Sequence, residues 1–105
     1  MKAPIKLLLI YLDETDLWQE GIPLYEGIVR RLHQLSVAGA TVHIGIMGFG
    51  SHHKVHRKRL FGVSDDRPVT ISVIDEEARL RAVLPDVRTL LKEGLMLLLD
   101  AELIE

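Results

Sequence analysis

Hydrophobic and polar positions change period along this chain, and each change marks an element. Ile5 to Leu12 (Ile-Lys-Leu-Leu-Leu-Ile-Tyr-Leu) is an apolar run with Pro4 before it and Asp13-Glu14 after it. Its length is short for a helix and suits a strand. Asp13 to Ile22 is a polar connection that holds the sole tryptophan, Trp18. Pro23 then suits a first helical turn, where a missing N–H costs nothing. Leu24, Ile28, Leu32 and Leu35 follow at spacings of four, four and three, one apolar stripe, with Gly39 as the expected stop. Thr41 to Met47 alternates, Val42, Ile44 and Ile46 against Thr41, His43 and Met47, as a half-buried strand does.

Gly48 to Arg67 has no clear period, and a loop of that length in a compact domain is commonly functional or mobile. Pro68 opens another strand, Val69 to Ile74, with Val69, Ile71 and Val73 on one face. Asp75 reads as an N-cap, and Glu76-Glu77 suit the positive end of a helix dipole. Leu80, Val83, Leu84, Val87 and Leu91 keep one helical phase across Pro85, which either kinks the helix or divides it in two on a shared axis. Gly94 ends this stretch, and Leu95 to Leu103 is the last strand.

The order β-α-β-β-α-β describes an α+β ferredoxin-like sandwich, a four-stranded antiparallel sheet with two helices on one face and the first and third strands central. The strands disagree with a lone subunit. Leu7, Leu8, Leu9 and Ile10 are apolar on both faces, and so are Leu95, Met96, Leu97, Leu98 and Leu99. A strand with one wet face alternates. Helices cover one face only, so the pattern calls for a second cover, most simply another copy of the chain.

Size and composition agree. A chain of 105 residues suits one domain, residues 1–105, and 48% hydrophobic residues is a large share for a domain of this size to hide alone. With no cysteine, disulfides, thiolate zinc sites and cysteine nucleophiles are excluded. No targeting segment is visible, and neither Leu7–Leu12 nor Leu95–Leu99 approaches the roughly 20 apolar residues of a membrane span. The expectation is a cytoplasmic protein without stable membrane insertion.

Charge singles out one stretch, Gly45-Ile-Met-Gly-Phe-Gly-Ser-His-His-Lys-Val-His-Arg-Lys-Arg59. Lys54, Arg57, Lys58 and Arg59 give Ser51–Arg59 a charge of +4 in a chain of −2, so the remainder carries −6. Such a loop on an acidic body either faces an anion or an acidic partner, or is a solvated surface loop. Gly48 and Gly50 with Lys54, Arg57 and Arg59 supply the parts of a phosphate cradle, backbone N–H groups beside cations. The glycines do not open a helix, so neither a dinucleotide fingerprint nor a P-loop applies. His52, His53 and His56 are the alternative, a site for zinc, copper or nickel, with cationic neighbours against it. Ser51 beside His52 has no orienting acid, so no catalytic triad is read and no enzyme is expected. Net charge and an aromatic share of 5% speak against nucleic acid. No cofactor is implied.

Four segments in order, Leu24-Tyr-Glu-Gly-Ile-Val-Arg-Arg31, Ala38-Gly-Ala-Thr-Val42, Gly45-Ile-Met-Gly-Phe-Gly50 and Ile74-Asp-Glu-Glu77, resemble a bacterial family of PII-like proteins, the domain-of-unknown-function family numbered one hundred and ninety. The resemblance covers nearly the whole chain. It implies a ferredoxin-like subunit assembled as a trimer, like the PII signalling proteins, and a regulated partner protein of unknown identity. Gly48-Phe49-Gly50 is similar to the base of the PII T-loop, which touches partners and lines a nucleotide cleft between subunits, so the resemblance makes Gly48, Phe49 and Gly50 candidate ligand-lining residues. PII continues Arg-Gln-Lys-Gly, whereas this chain has Ser51-His52-His53-Lys54, and Lys92-Glu93-Gly94 stands where PII has a glycine- and lysine-rich loop. The whole reading is a homotrimeric regulator that senses a small anionic, nucleotide-like ligand and signals through the 51–66 loop. A metal-binding trimer and a purely protein–protein module are the alternatives.

Overall fold

A computed structural model describes residues 3–48 and 67–105. The elements run β1 (Ile5–Asp13), α1 (Leu24–Gln34), β2 (Gly39–Ile44), β3 (Pro68–Glu76), α2 (Glu77–Leu90) and β4 (Leu95–Ala101). The sheet order is β2-β3-β1-β4, with every pair antiparallel. The first and third strands are therefore central, as expected for the ferredoxin-like α+β sandwich.

Strand alternation decides what each face carries. Leu8, Ile10 and Leu12 of β1 and Val69, Ile71 and Val73 of β3 point at the helices and are buried. Leu24, Ile28 and Leu32 of α1 meet them, with Leu80, Val83 and Val87 of α2 and Leu91 beyond it. α2 runs unbroken through Pro85, the second of the two expected shapes excluded. The proline ring lies on the exposed side, and its carbonyl accepts from the Thr89 hydroxyl at 2.9 Å. The lost N–H is thus confined to the solvated side of the helix.

Three local expectations change. α1 ends at Gln34, with Leu35 as its C-cap, rather than running to Gly39, because Ser36 takes a left-handed φ of 62° and Val37 N–H bonds back to Leu32 C=O at 3.2 Å. Gly39 instead begins β2. Asp75 is not an N-cap: it is the penultimate residue of β3, and Glu76 holds the cap position without a side-chain bond. Its buried carboxylate accepts from Ala38 N–H at 2.9 Å and Glu76 N–H at 2.6 Å, and pairs with Arg79 at 3.3 Å. A partner 37 residues away in sequence holds this acid in place, which is why a local capping rule misplaces its role. β2 and β4 end at Ile44 and Ala101, which leaves Ile46 and Met47 outside the sheet and exposed.

The β1–α1 connection is built. Leu17 bridges to Pro23, Trp18 N–H bonds Ile22 C=O at 2.8 Å, and the turn passes through positive φ at Glu20 and Gly21. This small hairpin lays the Trp18 ring on Gly27 of α1, where an added Cβ would sit 2.6 Å from the indole. Alanine there trades a helix-propensity gain of about 1 kcal/mol against an overpacked contact of about 1–3 kcal/mol. We expect Gly27→Ala to destabilise the protein in urea unfolding followed by circular dichroism. The same change in a Trp18→Ala background should stabilise it, and equal effects in both backgrounds would show that the indole does not set the residue at position 27.

Candidate functional site

Antiparallel register brings the exit of β2 and the entry of β3, the two places flanking the basic stretch in sequence, to one end of the sheet. Asp13 pairs with Pro68, Ile44 with Val69 and Tyr11 with Leu95, so the exits of β1 and β2 and the entries of β3 and β4 share that end. Two glycines shape the exit of β2. An added Cβ at Gly45 would lie 2.9 Å from the Pro68 ring, and one at Gly48 would lie 3.0 Å from it. Gly45 N–H also bonds Pro68 C=O at 2.7 Å. The chain therefore leaves β2 pressed against the residue that opens β3, and Gly48 stands at the edge of the described structure. On the far side of the same end, Gly94 takes φ 115° so that the turn into β4 passes Tyr11 C=O, where a Cβ would come within 2.3 Å.

One ion pair locks this end. Arg67 reaches Glu14 through one guanidinium edge, Nε to Oε1 at 3.0 Å and Nη2 to Oε2 at 2.8 Å, while Glu14 N–H bonds Arg67 C=O at 2.9 Å. A bidentate, charge-assisted clasp of this kind defines direction as well as distance. It fixes where the chain re-enters the sheet. The Arg67 hydrogen bonds hold the Glu14 carboxyl below its ordinary value, against a smaller opposing effect of desolvation. Asp100 is likewise held low at the other end of the sheet by its bond to Lys6.

Among the predicted site residues, Gly48 alone lies in the described structure. Phe49, Gly50, Lys54, Arg57 and Arg59, and the alternative metal ligands His52, His53 and His56, lie outside the described residues. Sequence reasoning missed Glu14, Arg67 and Asp75. Each acts on a partner distant in sequence, and the only hint was an acid directly after a strand. Among the described residues no group of three or more His, Asp or Glu side chains stands ready to hold a metal ion.

The helix-free face is the other candidate. Ile74, Leu7 and Leu99 align in one row across β3, β1 and β4; Ser72, Leu9 and Leu97 form the next, and Thr70, Tyr11 and Leu95 the third. Leu95, Leu97, Leu99 and Ile74 keep 43%, 47%, 40% and 44% of their surface. Toward β2 the rows turn polar with Thr41 and His43. Leu8 and Leu98, the other leucines of these doubly apolar strands, face the helices instead.

A four-stranded antiparallel sheet with two helices on one side is a PII-like, ferredoxin-like fold. Solved structures of CPII from Thiomonas intermedia K12 share that fold. The form bound to ADP, AMP and acetate superposes with a TM-score of 0.68 at 20% identity, over 98% of this chain and 91% of that one. The form bound to ADP and bicarbonate gives 0.65 at 22% identity, over 93% and 86%. Within that fold, the chain belongs to the domain-of-unknown-function family 190, an uncharacterized ACR, which it matches over residues 5–103. Relatives include a UPF0166 protein of Aquifex aeolicus (strain VF5), 32% identical over 99 residues, 94% of this chain and 92% of that protein. The UPF0166 protein MJ1524 of Methanocaldococcus jannaschii is 36% identical over 96 residues, 90% of this chain and 87% of the relative. No helix among the described residues is long and apolar enough to cross a membrane.

The clasp makes a pH prediction. A carboxyl that is more acidic folded than unfolded stabilises the fold above its ordinary range and loses that contribution as pH falls through its folded value. Glu14→Gln should therefore be less stable than the parent at pH 7, and the two should converge in strongly acid solution. A gap in urea midpoint that persists unchanged to pH 2 would show that the charge of Glu14 contributes nothing.

Proposed function

We propose that this protein is a PII-like regulatory subunit that assembles as a homotrimer through its helix-free sheet face and binds a small anionic, nucleotide-like ligand beside the Gly48 turn. The observation that carries the reading is a fold shared with CPII, solved with ADP, in a chain that leaves β2 through a glycine turn into a basic loop. Gly48, Phe49 and Gly50 supply backbone N–H groups, and Lys54, Arg57 and Arg59 the cations that pair with phosphate oxygens. The 51–66 loop, tied at its return by Glu14–Arg67, carries the signal to a partner protein. Regulation of this kind needs no bond making, and we assign the protein no reaction. A chain without cysteine fits work in the cytoplasm.

The assembly half of the reading rests on the apolar rows. Leu7, Leu9, Tyr11, Ile74, Leu95, Leu97 and Leu99 make one contiguous surface, and patches of this kind mark contacts. Light scattering should give three subunits. Leu97→Asp should yield a folded monomer, since the carboxylate is solvated once the partners leave. Leu8→Asp should instead prevent folding, because its charge has no route to water. A parent protein that is monomeric at micromolar concentration would remove the assembly reading.

The ligand half is tested by calorimetry with adenine nucleotides and, separately, with zinc. Arg57→Ala and Arg59→Ala should each weaken nucleotide binding by about 1–3 kcal/mol, with a loss that shrinks as salt rises. Gly50→Val should damage it through the backbone. Zinc binding abolished by His52→Ala and His56→Ala, with the arginine changes silent, would transfer the site to the metal reading.

A further inference from the structure

The helix-free sheet face carries one feature that its leucines do not explain. Its three rows continue onto β2 through Gly39, Thr41 and His43, which pair with Ile74, Ser72 and Thr70. Across all four strands those rows hold no Asp, Glu, Lys or Arg. In a chain with 27% charged residues, a face of this extent without a fixed charge lets two copies meet free of like-charge repulsion.

One group in those rows changes charge near neutral pH. Imidazole is the side chain whose ordinary titration falls between about pH 5 and 8, and His43 is the only histidine there. It is exposed on the edge strand β2, in the same row as Tyr11 and Leu95. Its neighbours on this face are neutral: Thr41 on its own strand, Thr70 and Ser72 on β3, and Tyr11 beyond them on β1. Among the described strand residues, carboxylates reach this side of the sheet only at strand ends, as Asp13 of β1 and Glu76 of β3. Asp13 lies two strand spacings, about 10 Å, across the sheet from β2, and Glu76 lies about 20 Å along β3 from Thr70. An imidazolium at position 43 therefore has no carboxylate within reach on these strands.

We propose that protonation of His43 opposes association through this face, so that mild acid returns the assembly to folded single subunits. The switch rests on the assembly proposed above and supplies its control. Covering the face takes His43 out of water, where a neutral imidazole is tolerated and an unpaired imidazolium is costly. The free subunit then binds a proton that the assembled one releases, so association weakens as pH falls through the ordinary histidine range. Symmetry multiplies the effect, because every copy brings its own His43. One pH unit below an ordinary imidazole value the penalty is about tenfold per copy, or about a thousandfold across three.

Sedimentation velocity over a micromolar concentration series, at pH 7.5 and pH 5.5 and equal ionic strength, tests the switch. The parent should associate at pH 7.5, and its association constant should fall by about a hundredfold to a thousandfold at pH 5.5, with circular dichroism unchanged. His43→Gln should associate equally at both values, which separates position 43 from His33 and from the histidines of the basic loop. His43→Lys should weaken association at pH 7.5 already, in a subunit that stays folded because the position is exposed. A parent that is a single subunit at pH 7.5 removes the assembly reading and the switch with it. A parent that associates equally at both values, a pH response kept in His43→Gln, or tighter association in acid leaves the assembly standing and overturns the switch alone.

Discussion

Two helices of 11 and 14 residues shield one face of a four-stranded sheet and no more. That geometric limit organises the molecule. Every apolar side chain on the covered face of β1 and β3 is buried, and the helices contribute their own stripes to the same layer. Strand alternation then forces the intervening residues to the other side, where β1 and β4 present leucines beside Ser72 and Thr70 of β3 rather than the polar residues a wet face would carry throughout. The chain has invested hydrophobic surface where its own fold supplies no cover.

Division of labour follows from that asymmetry. The sheet face is self-complementary in chemistry and suits a second copy. The end of the sheet where β1 and β2 exit carries the glycine turn and the Glu14–Arg67 clasp. The helix layer faces away from both and holds the Leu17–Pro23 hairpin, with its indole between two cavities.

Periodicity carried most of the fold. The spacing of Leu24, Ile28 and Leu32 and the alternation of Val69, Ile71 and Val73 are local signals, and the elements stand where they point. The continuous leucines of β1 and β4 showed that both faces are apolar but not which leucine faces which way. That parity needed the register, which puts Leu8 and Leu98 inward and Leu7 and Leu97 outward. Asp75 is the clearest miss. A carboxylate before a helical stretch reads as a cap, yet it serves the start of β2 through Ala38. Gly39 misled for a similar reason, since Ser36 took the left-handed turn that a glycine was expected to supply. At the site, composition pointed to the basic loop and its glycines, of which Gly48 alone lies among the described residues. It was silent on Glu14 and Arg67, which lie 53 positions apart and meet only because β1 and β3 pair.

The uncovered leucines also bear on how the stability of this protein is to be understood. A partner that covered them would bind the folded chain and find no such surface to grip on the unfolded one. Under the proposed assembly, folding and association are linked by mass action, and the free energy of unfolding ceases to be a property of the single chain. Melting temperature would then rise with protein concentration, dilution would act as a mild denaturant, and a substitution on the sheet face would lower the melting point without touching a single core contact.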